Sequence, residues 1–220
     1  MNRLVLGIAC LTLPAQALAW KHTYRVWEAE DIPRPYVIAE VGEDSLPDPG
    51  PDSVQIFQDS YAAWLDAECS TFRSEYLGTI PENEGNRRDF ENKVSFNDPA
   101  NRIAAGVLAV TYTLAYSQPV FSLDGEKYYP AYDSDIVGND NVDFTTNALI
   151  EGGQCLGRTS LQSVMTHEIG HLQGMGHSCD DGELCTNTEY LEATMFWSAG
   201  ACETQQSVIN SDDIEGITAI

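Results

Sequence analysis

The apolar positions of this 220-residue chain follow two different periods. Val54, Phe57, Tyr61, Trp64 and Leu65 recur at helical spacing and predict one amphipathic helix over 53–67, its aromatic face turned to the core. Tyr36 to Val41, Phe72 to Leu77, Lys93 to Phe96, Gly106 to Tyr116 and Tyr128 to Val137 are rich in β-branched and aromatic residues, and each predicts a strand. Pro47 to Pro51 predicts a turn, with Asp52 and Gln55 capping the helix that follows. The polar stretch 81–90 predicts a loop, and Asp124-Gly125 a turn before the last strand. A second helix over 160–173 places Leu161, Met165, Ile169 and Leu172 on one face, and Thr159 or Ser160 can cap it. Asp212-Asp213-Ile214-Glu215-Gly216-Ile217 reads as a last helix with an acidic start. Strands followed by helices predict an α+β domain.

The first nineteen residues break this pattern. Arg3 is a minimal positive region, Leu4 to Ala15 a short apolar run, and Ala17-Leu18-Ala19 a small-x-small cleavage site before Trp20, which together read as a secretory signal. The alternative is a buried N-terminal helix, and the run is too short to span a bilayer. No other stretch can cross a membrane, so a secreted or periplasmic protein without a membrane anchor is expected. Cleavage leaves Cys69, Cys155, Cys179, Cys185 and Cys202, an odd set in a compartment that permits disulfides. Cys179 and Cys185 are close enough to close a small loop. The connectivity stays open, and inert thiols are the alternative.

Composition narrows the partners. Hydrophobic residues make up 43% of the chain, enough for a real core, while 11 Lys+Arg against 34 Asp+Glu give a net charge of -23. No basic footprint exists for nucleic acid or for an anionic membrane surface. Asp133, Asp135, Asp140, Asn141 and Asp143 cluster around Gly138, and oxygen ligands on a turn suit calcium; a solvated acidic loop is the alternative.

The chemistry concentrates in His167-Glu168-Ile169-Gly170-His171-Leu172-Gln173-Gly174-Met175-Gly176-His177. Residues four apart on a helix point the same way, so His167 and His171 can share one ion. Gly174 permits a left-handed residue that ends the helix and brings His177 back as a third ligand. Three neutral imidazoles leave a coordination position open, as in a catalytic zinc site. Glu168 stands beside His167, placed as a base next to a zinc-bound water rather than as a fourth ligand. The reaction class is peptide-bond hydrolysis. A closed structural zinc site is the alternative, and it needs a fourth ligand and gives Glu168 no role.

This elongated motif resembles that of the metzincin metalloendopeptidases. Ser178 after the third His resembles the matrixin branch. Ala193-Thr194-Met195-Phe196-Trp197 is similar to the family's methionine turn, which implies Met195 as an apolar floor under the metal. Trp197 stands where other branches carry a metal-binding Tyr. Gly106-Val107-Leu108-Ala109-Val110 resembles the edge strand that binds substrate by strand addition, implying Leu108 and Ala109 as substrate-binding residues. Asp212-Asp213-Ile214 resembles the start of the family's last helix, implying Asp213 as the residue that holds the methionine turn. Phe196 and Trp197 are implied as the wall of a specificity pocket for an apolar or aromatic side chain. Two departures stand out: no segment fits a cysteine-bearing propeptide, and no histidines remain for a second, structural zinc, which leaves Ca2+ on the acidic loops as the structural ion.

The resemblance implies a metzincin zincin-like fold. It comprises a mixed, twisted five-stranded sheet with an antiparallel edge strand over the cleft and two long helices behind it. A small C-terminal subdomain carries the methionine turn and last helix. The expected division is a signal peptide at 1–19 and a catalytic domain at 20–220, split into 20–177 and 178–220. The expected function is that of a secreted, monomeric, zinc-dependent endopeptidase acting on extended protein or peptide substrates. A binding or adhesion module on the same scaffold, or a zinc hydrolase of cell-wall amides, are the alternatives.

Overall fold

The computed structural model describes residues 20–219 apart from 66, 68, 69, 124 and 181–183, so the segment 1–19 expected to be a signal, Cys69 and the first residue of the Asp124-Gly125 turn lie outside the described residues. The strands are β1 (Arg25–Val26), β2 (Arg34–Ala39), β3 (Ser74–Ile80), β4 (Asn92–Ser95), β5 (Ala109–Ala115), β6 (Phe121–Leu123), β7 (Glu126–Gly138), β8 (Phe144–Thr145) and β9 (Thr159–Ser160). The helices are α1 (Pro49–Leu65), α2 (Asn147–Glu151), α3 (Leu161–Leu172), α4 (Thr188–Glu192) and α5 (Ser211–Thr218). Helix α1 starts earlier than the Asp52 cap implies. Pro49 and Pro51 sit inside its first turns, where a missing N–H costs nothing because that group has no partner there, and Gln55 donates to Asp59 instead.

The main sheet is mostly parallel. It has seven strands rather than the expected five, because β1 and β6 are too short to show alternation in sequence. β2 pairs in parallel with β3 and β4, and β4 in parallel with β7. β1 also joins β7 in parallel. The antiparallel pairing is not confined to one edge strand either: both β5 and the short β6 run antiparallel along β7. The strand read as Gly106 to Tyr116 begins at Ala109, because Gly106 takes a positive φ of 89° and Val107 N–H closes a turn on Ala104.

The core lies between this sheet and the helices α1 and α3. Ile38, Phe96 and Ile136 come from the sheet side, Phe57, Tyr61 and Trp64 from α1, and Leu161, Met165 and Ile169 from α3. Each buried aromatic contributes roughly 2–3 kcal/mol by leaving water. Trp64 Nε1 also donates to the Thr166 carbonyl at 2.8 Å, which pins α1 against α3. Ser160 caps α3 by accepting from Ser163 N–H at 3.0 Å. Two disulfides are present among the described residues: Cys155–Cys202, spanning 47 positions, and Cys179–Cys185, spanning 6. No helix among the described residues is long and apolar enough to cross a membrane.

Candidate functional site

Helix α3 delivers two of the three histidines and the turn after it delivers the third. Gly174, one residue after the Gln173 cap, has a φ of +105°, and its N–H closes on the His171 carbonyl, so the helix stops at Leu172 and the chain turns toward His177. Each imidazole has one nitrogen committed. His167 Nδ1–H donates to the Thr194 carbonyl and His171 Nδ1–H to the Met175 carbonyl, both at 2.8 Å; His177 Nδ1–H donates to Asp180 Oδ1 at 3.0 Å. Carbonyl and carboxylate oxygens only accept, so these contacts fix the Nδ1–H tautomer and leave a lone pair on every Nε2.

Those lone pairs converge. One donor atom from each ring lies within 4.8 Å of the other two, and the Nε2 atoms of His171 and His177 are 3.2 Å apart. Two lone pairs at that spacing repel unless a cation lies between them. Nitrogen ligands about 2.0–2.1 Å from a tetrahedral zinc stand roughly 3.3 Å from each other, so the residues present fit zinc. Burial and the neighbouring rings push His167 well below the ordinary histidine range, and burial lowers His177 as well. Both directions favour the neutral, ligating form.

Met195 is fully buried against α3 at Gly170. A Cβ on Gly170 would stand 2.2 Å from Met195 Sδ and 2.8 Å from Trp64, so only glycine leaves room for the thioether between the two ligand positions. The turn bearing Met195 is held by Asp213, fully buried at the start of α5. Its Oδ2 accepts from Thr194 N–H at 2.8 Å and its Oδ1 from Met195 N–H at 3.0 Å. Burial raises the Asp213 carboxyl, and these N–H donors oppose the rise.

The matrixin family model (peptidase M10) matches residues 86–220, more than half of the chain and all of this site. The chain belongs to the matrixins. The family is one of zinc metalloendopeptidases with a metzincin fold. No curated protein matches the chain. Among solved structures, the matrixin chain resembles one titled "GM1 bound form of the ECX AB5 holotoxin", at 12% identity and a TM-score of 0.42, over 90% of this chain and 84% of that one.

In this matrixin, Glu168 is 5% exposed and lines the same cleft as the histidines. Burial raises its carboxyl, while His171 and a hydrogen bond from Thr111 pull it back. Thr111 Oγ1 lies 2.6 Å from Glu168 Oε2 and 2.9 Å from the Glu168 carbonyl, so the hydroxyl touches both the carboxylate and the helix that carries it. The cleft has a volume of about 570 Å³. Leu108, Ala109, Val164, Phe196, Trp197 and Gln206 line it. Leu108 precedes β5, and its carbonyl accepts from Asn139 N–H at 3.0 Å. Peptide groups alternate along a strand, so Ala109 turns its own toward the other edge, where no strand among the described residues pairs with β5.

Three of the acidic residues around Gly138 are engaged within the protein. Asp133 and Asp135 lie within β7, and their carboxylates accept backbone N–H groups of the 87–93 segment. Asp143 pairs with Arg158 at 2.9 Å. Among the described residues, the histidines are the only group of three metal-type donors close enough to share an ion. Sequence reasoning passed over Thr111, Gln206, Lys21 and Asp180. Only Asp180, three positions after His177, carried a local signal; the others reach the site through the fold.

Proposed function

We propose that this matrixin is a secreted zinc-dependent endopeptidase that cuts extended polypeptides, with His167, His171 and His177 holding the metal and Glu168 as general base. The observation that supports it most is the convergence of three uncommitted Nε2 atoms beside one buried carboxylate in an open cleft. Zinc, when bound, supplies Lewis acidity toward a carbonyl oxygen and makes water easier to deprotonate. The open edge of β5 at Ala109 aligns a substrate strand by main-chain hydrogen bonds. Phe196 and Trp197 receive the side chain that follows the cut bond, and burial of that side chain favours apolar and aromatic residues. Glu168 takes a proton from the attacking water and passes it to the leaving amine. Thr111 keeps the carboxylate turned toward that position. Met195 and Asp213 keep the floor of the site rigid. Residues 20–177 and 178–220 form the two sides of the cleft. Export is supported by the residues before Trp20 and by the two disulfides, which persist in oxidising compartments.

The test is digestion of a random peptide library by the full chain, with mass spectrometry of the cuts, with and without a chelator. Cuts before apolar or aromatic residues, abolished by the chelator, are expected. Glu168→Ala keeps its zinc and loses about 10²–10⁴-fold in rate. An unchanged rate in that variant refutes the assigned base, and a chain that binds zinc but cuts no peptide is a binding module or acts on another amide.

A further inference from the structure

We infer that the segment Trp20–Thr23 is a working part of the metal centre: Lys21, acting through Asp180, fixes the ring of His177, and the ion is held tightly only while that segment is docked. This rests on the reading that the three histidines bind zinc.

The turn that carries the chain from His171 to His177 is held from within by the buried Met175 and by its hydrogen bonds to Gly170 and His171. Gly174 and Gly176 contribute no side chains, and glycine backbones are costly to order. A distant segment adds to that hold. Thr23 N–H donates to the Gly174 carbonyl at 2.8 Å, Gly176 N–H donates to the Lys21 carbonyl at 2.7 Å, and His22 faces Met175 in an antiparallel bridge. The approach is close: a Cβ on Gly176 would lie 3.2 Å from Lys21 Cβ, and one on Gly216 would lie 2.9 Å from Trp20 Cβ. His22 Nδ1 adds a contact to the Tyr128 hydroxyl at 2.8 Å. The segment is therefore seated along the turn on both flanks.

The three ligands also differ in how they are held. His167 and His171 donate to backbone carbonyls, which are fixed by the fold. His177 donates to a side chain, Asp180, which is 48% exposed and has a second oxygen able to take another donor. Lys21 Nζ engages it, donating to Asp180 Oδ2 at 2.8 Å. One carboxylate thus bridges an imidazole that carries a ligand and an ammonium on the docked segment. A carboxylate partner on the far nitrogen orients the ring and raises its basicity, and losing such a partner typically costs 10–100-fold in metal affinity. The Lys21–Asp180 pair is itself exposed and contributes little to folding. Its effect belongs in metal affinity, not in the stability of the zinc-free protein.

The experiment measures zinc dissociation constants on the full chain by competition with a chelating dye, together with melting of the zinc-free forms. Asp180→Asn should weaken zinc by about 10–100-fold, Lys21→Met by about three- to tenfold, and Lys21→Arg should restore most of the loss, with all zinc-free melting temperatures unchanged. Wild-type affinity in Lys21→Met overturns the inference. So does an equal loss in Lys21→Arg, or a loss that tracks the zinc-free melting temperature. A wild-type chain that binds no zinc removes the metal reading and this inference together, whereas one that binds zinc and shows the expected series but cuts no peptide removes only the protease reading.

Discussion

Two groups of ionisable side chains, the histidines of the α3 turn and the aspartates of β7, differ in what their polar atoms are left to do. Asp133 and Asp135 are each 1% exposed, and three of their four carboxylate oxygens accept main-chain N–H groups. They organise a loop. The histidines commit one nitrogen each to the protein and direct the other at a shared point. A cluster of ligand-type residues is therefore not yet a site. What marks a site is donor atoms left uncommitted and aimed together, and β7 shows how a chain can spend the same chemistry on structure.

Three substitutions break or sharpen this contrast. The largest effect is expected from Asp133→Ala. It strips the acceptor for Asp89 and Phe90 N–H and should cost about 3–5 kcal/mol in urea unfolding. Zinc affinity should stay as in the wild type; a matching loss of zinc would merge the two regions into one. Next is Glu43, 1% exposed near Gly138, where burial pushes the carboxyl up to about 7 against the opposing Ser45 hydrogen bonds. The fold favours its protonated form, so that stabilisation is complete below the ordinary value of 4.5 and is lost as pH rises through about 7. Glu43→Gln should then exceed the wild type by roughly 2–3 kcal/mol at alkaline pH and match it in acid. A difference that does not change with pH would rule out this titration. The smallest effect is on the other region. Thr111→Val removes the hydroxyl on Glu168 with little change of shape, and kcat on a peptide substrate should drop about tenfold at constant KM, with Thr111→Ser restoring it. A rise in KM or a fall in zinc content instead would assign Thr111 to binding.

The histidine site was legible because its geometry is local. Four- and six-residue spacings, one helix and one glycine bring the ligands together, and none of that depends on the rest of the chain. The acidic cluster was harder to read, because its geometry depends on the sheet. Asp133 and Asp135 fall within the strand predicted over Tyr128 to Val137, observed as β7, and residues two apart on a strand share a face. Asp133 and Asp135 therefore face inward together. The five principal strands and both long helices were visible as periodic runs. The two-residue β1 and the three-residue β6 were not, since alternation needs more positions than they have. Thr111 and Lys21 could not be found at all, because nothing in a strand or in a terminal segment announces which distant carboxylate it will meet.

The long strand β7 has a further consequence for how the molecule comes into being. Four of the other six strands in the main sheet, β1, β4, β5 and β6, hydrogen-bond to it, and all four precede it in the chain. During synthesis they emerge without their partner, and only the β2–β3–β4 portion can pair before β7 begins to emerge at residue 126. Pairings between strands far apart in sequence form slowly. Assembly of the sheet should therefore wait on one late segment, and the helix that bears the histidines emerges only after it.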